Sequence, residues 1–184
     1  GAGGGSGNST MKMMNEWGLP AVVMEDAICS IVKRMKEEGC WVPAITITGG
    51  FASEDQVFKS LAFGEGAVTA IGICRAAMAA SMMGKKIGEQ IKQGEVPKNF
   101  KKYGDTVEEI FSDLADLRAL YGKEANEFST GAIGVFSYLK KIAFGLQHFA
   151  ALNRKFDISY LDKRDLIPLT RESKDLIQGK WFDK

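Results

Sequence analysis

The sequence predicts a parallel α/β fold followed by a helical tail, and three observations carry that prediction. Residues 44–48 and 67–71 are short runs rich in β-branched residues, as buried parallel strands are. Each run ends on glycine, at Gly49-Gly50 and at Gly72. Each is then followed by apolar residues at the three-and-four spacing of a helix. Strand, glycine turn, helix, strand, glycine turn, helix is a βαβα unit.

Taken in chain order, Ser9 or Thr10 can cap a short helix through Met11, Met14 and Trp17, which Gly18 ends before Pro20. Met24, Ala27, Ile28, Ile31, Val32 and Met35 then form one apolar stripe, with Lys33, Arg34, Lys36, Glu37 and Glu38 mostly opposite. This predicts a surface helix closed by Gly39. Ser53 with Gln56 three residues on is a capping box, opening a helix that carries Val57, Phe58, Leu61 and Ala62 to Gly64. A helix from Arg75 toward Gln93 follows the second strand.

Beyond Gly94 and Pro97 no strand pattern remains. Thr106 and Glu109 make another capping box, and Val107, Ile110, Phe111, Leu114, Leu117 and Tyr121 give its helix an apolar stripe. After a loop over 122–131, a long helix carries Ile133, Phe136, Leu139, Ile142, Leu146 and Phe149 on one side. The tail, 157–184, reads as short helical turns around Pro168, and no internal repeat is present. The expected organisation is a strand-containing part over 1–94 and a helical extension over 95–184.

The chain has 184 residues, long enough for one domain with a real core, and its 45% hydrophobic content is that of a globular protein. Lys plus Arg number 24 against 23 for Asp plus Glu, so no large field draws nucleic acid or an anionic membrane. Cys29, Cys40 and Cys74 form no CxxC pair, and with His148 they offer no zinc spacing; reduced thiols in a cytoplasmic protein are expected. Residues 67–83 approach the length of a membrane span, but Gly72 and Arg75 interrupt them. No signal peptide is expected. The glycine-rich start, Gly1 to Asn8, fits either an expression linker or a native loop.

A loop of glycines brings backbone N–H groups close to a phosphate, and a helix N-terminus behind it adds partial positive charge. Gly49-Gly50 and Gly72-Ile73 both sit between strand and helix, with Arg75 as a counter-charge. Two adjacent βα turns sharing one phosphate is the arrangement at the last two strands of a (β/α)8 barrel. The predicted fold is therefore the C-terminal portion of such a TIM barrel followed by the helical tail. On spacing alone the glycines equally suit tight strand endings.

No catalytic residue or metal ligand is identified. Glu25 and Asp26 are adjacent and read as capping or solvated residues, and His148 as a partly buried structural one. Met11, Met13, Met14, Met78, Met82 and Met83 read as core filler. Arg154, Lys155, Lys163 and Arg164 read as a solvated face.

These motifs together resemble a known family. The loop Gly1 to Asn8, then Gly18-Leu19-Pro20, Ile47-Thr48-Gly49-Gly50-Phe51 and Ala70-Ile71-Gly72, is similar to the FMN-binding domain of glutamate synthase. Tyr138 to Thr170 likewise resembles the family's helical tail. Gly4-Gly5-Ser6-Gly7 stands where the family has Gly-Gly-Thr-Gly, so the resemblance implies that the chain starts inside a motif.

The resemblance implies an FMN-dependent oxidoreductase of glutamate biosynthesis, in which reduced flavin delivers hydride to the imine formed from 2-oxoglutarate and ammonia. Gly49, Gly50, Gly72 and Ile73 would hold the FMN phosphate with Arg75 nearby, while Gly4, Gly5, Ser6 and Gly7 would line the flavin and substrate side. The large family members follow the last barrel strand with three cluster-binding cysteines. Here those places fall at Ser81, Ile87 and Lys92, so no iron-sulfur cluster is expected and electrons would reach FMN by another route or from a separate protein. Nothing corresponds to the barrel's first strands. The expectation is a fragment inactive alone, or a half-barrel completed by its missing N-terminal half or by self-association. A phosphate-binding lyase or isomerase, or an assembly piece that has lost flavin, are the other readings.

Overall fold

The computed structural model describes residues 10–179. The glycine loop Gly4, Gly5, Ser6 and Gly7 lies outside them. Helices α1 (Met11–Glu16) and α2 (Ala21–Glu37) precede strand β1 (Ile45–Thr48), helix α3 (Glu54–Gly64), strand β2 (Val68–Gly72) and helix α4 (Arg75–Lys92). Helices α5 (Lys98–Lys101), α6 (Val107–Ile110), α7 (Leu114–Tyr121), α8 (Thr130–Leu152) and α9 (Arg171–Ile177) follow. Short 3-10 turns occupy Gly122–Glu127, Ile158–Tyr160 and Lys163–Asp165.

Local chemistry sets these boundaries. Pro20 precedes α2 with its carbonyl accepting from Val23 N–H, a position where proline's missing donor costs nothing. Gly39 ends the same helix at φ +70°, and Cys40 N–H reaches back to the Met35 carbonyl at 2.8 Å. The Ser53/Gln56 capping box forms as the sequence predicts, with Ser53 N–H donating to Gln56 Oε1 at 3.2 Å. The Thr106/Glu109 box forms too.

The stripe over 107–121 is not one helix. Phe111 leaves the helical region at ψ 72°, dividing it into α6 and α7, yet Phe111, Leu114 and Leu117 are all buried. Helical spacing registers which residues face inward, and a short break that keeps the face inward leaves that signal intact.

Chain contacts divide the molecule into two compact units, residues 10–73 with 145–179, and residues 74–144. The sequence boundary at residue 94 falls within the second. In the first unit α2 and α3 pack on the sheet, burying Val32, Ile47, Phe58, Leu61, Phe63 and Val68. The second unit buries Ile87, Phe111, Leu114, Leu117, Ala125 and Ile133 as one cluster. Its α4 and α8 approach through glycine: a Cβ on Gly84 would lie 2.5 Å from the Thr130 carbonyl oxygen, and one on Gly134 2.7 Å from that of Ala80.

The barrel expectation is corrected. The described residues hold one sheet of two short parallel strands, β1 and β2, which does not close, and their remaining regular elements are helices. A βαβ unit dictates only that neighbouring strands run parallel. Closure needs tilt and stagger shared around the whole ring, which a two-strand pattern does not encode. The α/β mixture itself is present. Among the described residues no helix is long and apolar enough to cross a membrane.

Candidate functional site

The parallel register decides whether the two glycine turns meet. Thr48 pairs with Gly72 at the C-terminal ends of β1 and β2, and Thr48 Oγ1 donates to the Gly72 carbonyl at 3.2 Å. Gly49-Gly50 and Gly72-Ile73 therefore leave the sheet side by side, on the edge where open parallel sheets bind ligands. Gly49 and Gly50 have φ of 133° and 84°, values at which a side chain is strained. At Gly72 the space is tight instead, since a Cβ there would meet Thr48 Cβ at 3.0 Å and the Thr48 side chain would have to give way.

Other parts of the predicted grip fit less well. The N-terminus of α3 carries Glu54 and Asp55 in its first turn, so its partial positive charge is already matched by carboxylates. Ala52 and Ser53 N–H groups are engaged by Gln56 Oε1 at 2.8 and 3.2 Å. Arg75 is the first residue of α4, exposed, and belongs to the second unit. What the structure brings together of the predicted grip is Gly49, Gly50, Gly72 and Ile73.

Beside Gly49-Gly50 the first unit opens a cavity of about 820 Å³. Its walls are largely apolar, with Phe51, Phe58, Phe63, Phe149 and Leu176 among them, and Phe58 and Phe149 stack in a tilted pair at 5.5 Å. Glu25 also faces it. This residue is only 2% exposed and accepts a 2.7 Å hydrogen bond from Ser60 Oγ. Burial pushes the Glu25 carboxyl up to about 7, against the pull of the Ser60 hydrogen bond and the Lys163 ammonium. A carboxyl poised there can give or take a proton near neutrality. Asp26, equally buried, is also raised by burial, with Lys163 pulling back.

Several residues thus play parts that their sequence positions conceal. Glu25 and Asp26 are buried, not solvated. Two adjacent acids point in different directions from one helix, and nothing local marks that both are covered, Glu25 by Ser60 of α3. Lys163 and Lys155 do not belong to a solvated face either. The Lys163 ammonium lies 4.6 Å from the Phe63 ring centroid, and half-buried Lys155 pairs with Asp162 at 2.9 Å and Asp165 at 2.6 Å. The Asp-x-x-Asp spacing at 162–165 was the available signal, since Asp162 and Asp165 form a capping box. His148 is exposed. Met11, Met13, Met78, Met82 and Met83 are exposed as well, so they fill no core within this chain.

Among the described residues no group of three or more His, Cys, Asp or Glu is placed to hold a metal ion. Compared with family models, with curated proteins and with solved structures, the chain matches none.

Proposed function

We propose that the chain is part of an FMN-dependent oxidoreductase similar to glutamate synthase, acting in reductive amination of 2-oxoglutarate, and that it supplies the phosphate-binding turns. The observation that supports this reading is the Thr48 to Gly72 register, which sets Gly49-Gly50 and Gly72-Ile73 together at the C-terminal edge of the strands. The role of these residues is to hold and orient: backbone N–H groups take the phosphate, and glycine lets it approach. Bound FMN would supply the hydride chemistry. Electrons would reach the flavin by another route or from a separate protein.

The test is titration of the chain with FMN and with riboflavin, followed by flavin fluorescence. FMN should bind at least about tenfold more tightly, because only it carries the phosphate. Gly50→Val and Gly72→Val should remove that preference. Equal affinity for the two flavins would sink the reading.

A second reading, an assembly piece without flavin, is favoured by the exposure of large apolar side chains in the first unit. Trp41 is 80% exposed, and Phe156 and Leu169 are each 90% exposed. Under that reading neither flavin binds.

A further inference from the structure

Away from the glycine turn, the cavity beside Gly49-Gly50 holds one charge that is left over. Four charged side chains line it, Glu25, Asp55, Lys59 and Asp165. Asp55 is neutralised by Lys59 at 2.7 Å, and Asp165 by Lys155 at 2.6 Å. Glu25 is left. Its one hydrogen-bond partner among the described residues is the Ser60 hydroxyl, and the cation that acts on it, Lys163, lies over the Phe63 ring. The cavity therefore combines aromatic and aliphatic walls with a single buried carboxyl that no ion pair satisfies. In such a place an ionised carboxylate is costly until a cation joins it.

We propose that this cavity binds a small primary amine with an aromatic or alkyl body, its ammonium on the Glu25 carboxylate and its apolar part against Phe58, Phe149 and Leu176. The ammonium has three donors and needs acceptors, which Glu25 provides while Ser60 keeps the carboxyl oriented. The volume of about 820 Å³ is within the range of small-molecule sites. This inference does not depend on flavin binding, because the proposed ligand carries no phosphate.

Glu25 is faced by Ser60, Asp55 and Lys59 from α3, by Lys163 and Asp165 from the tail, and by Asp26 and Cys29 on its own helix. Asp55 and Asp165 keep their lysine partners, so the pH dependence of binding is set by Glu25. With a carboxyl titrating near 7, affinity should be level above that pH and fall about tenfold per unit below it, as protonation removes the acceptor charge.

The probe is 2-phenylethylamine, titrated by calorimetry at pH 8 and pH 5.5, with 2-phenylethanol and phenylacetate as the neutral and anionic isosteres. We expect saturable binding of the amine at pH 8, at least about tenfold tighter than either isostere and lost in Glu25→Gln. Circular dichroism checks that this variant is folded. Should Glu25→Gln not fold, Leu176→Trp, which fills the cavity from its half-buried wall, should abolish binding of the amine. Binding of all three compounds alike, binding that survives Glu25→Gln or Leu176→Trp, or no binding of the amine would overturn the proposal. Flavin titration is unaffected by the amine result, so the two readings fail separately.

Discussion

Ser60 Oγ donates to Glu25 Oε1 at 2.7 Å from α3 to α2, and both residues are buried. One neutral donor is a weak counterpart for an ionised carboxylate, which in ordinary buried settings meets a cation or several N–H groups. The balance is therefore close enough that desolvation wins, and Glu25 holds its proton to about pH 7.

This makes stability depend on pH in a stated direction. A carboxyl that is more basic when folded binds its proton more tightly in the folded chain, so protonation favours folding. That contribution is complete below the unfolded value of 4.5 and is lost as pH rises to about 7, a change of about 3 kcal/mol. Glu25→Gln cannot ionise and should be near neutral at pH 4.5 but more stable than the parent by about 1–3 kcal/mol at pH 8. Urea denaturation of both proteins across this window checks it. A difference between them that does not change with pH would show that Glu25 is not held as described.

What could be read from the residues was local chemistry. Gly39, Gly49 and Gly50 lie at positive φ where their positions between elements ask for it, and the Ser53/Gln56 and Thr106/Glu109 pairs cap the helices they precede. Each of those depends on neighbours within a turn. Glu25 and Lys163 depend instead on which surfaces are brought against α2 and α3, and no spacing within the chain carries that. The glycines of α4 and α8 show the same limit. Gly84, Gly88, Gly131 and Gly134 look like weak points of helices until both helices are seen together.

Those helix glycines give a second prediction. In an isolated helix Gly→Ala is favourable by roughly 1 kcal/mol, because alanine loses less backbone freedom. At Gly84 and Gly134 the added Cβ would stand 2.5 and 2.7 Å from carbonyl oxygens of the facing helix, which are backbone and cannot rotate away. Overpacking of this kind costs about 1–3 kcal/mol and should win. Gly84→Ala and Gly134→Ala should each melt below the parent, and a raised melting temperature in either would mean that α4 and α8 do not approach this closely.

The turn after β1 gives a third. At φ 133° Gly49 occupies backbone space that L side chains rarely adopt, and Gly50 at 84° is little better. Alanine at either position should cost roughly 1–2 kcal/mol through backbone strain. Open surroundings would not relieve this. Chemical denaturation of Gly49→Ala and Gly50→Ala beside a control at exposed Gln178 separates strain from a general effect of substitution.

The cysteines offer a test that needs no mutation. Cys29 is half-buried on α2 with its thiol 3.8 Å from the Gly64 carbonyl oxygen, while Cys40 and Cys74 are exposed. Burial first, and then the neighbouring Glu25 carboxylate, push the Cys29 thiol up to about 11 from an ordinary 9.0, with Lys163 acting against them. The thiolate is the reacting species, and a thiol that titrates this high holds about a hundredfold less of it at pH 8 than an ordinary cysteine does. Its limited access slows Cys29 further. Timed alkylation with iodoacetamide at pH 8, read by peptide mass spectrometry, should modify Cys40 and Cys74 first and Cys29 last. Lys163→Met removes the one cation that favours the thiolate and should slow Cys29 again. Modification of Cys29 at the rate of the exposed pair would mean that α2 does not bury this face, and the burial assigned to Glu25 would fall with it.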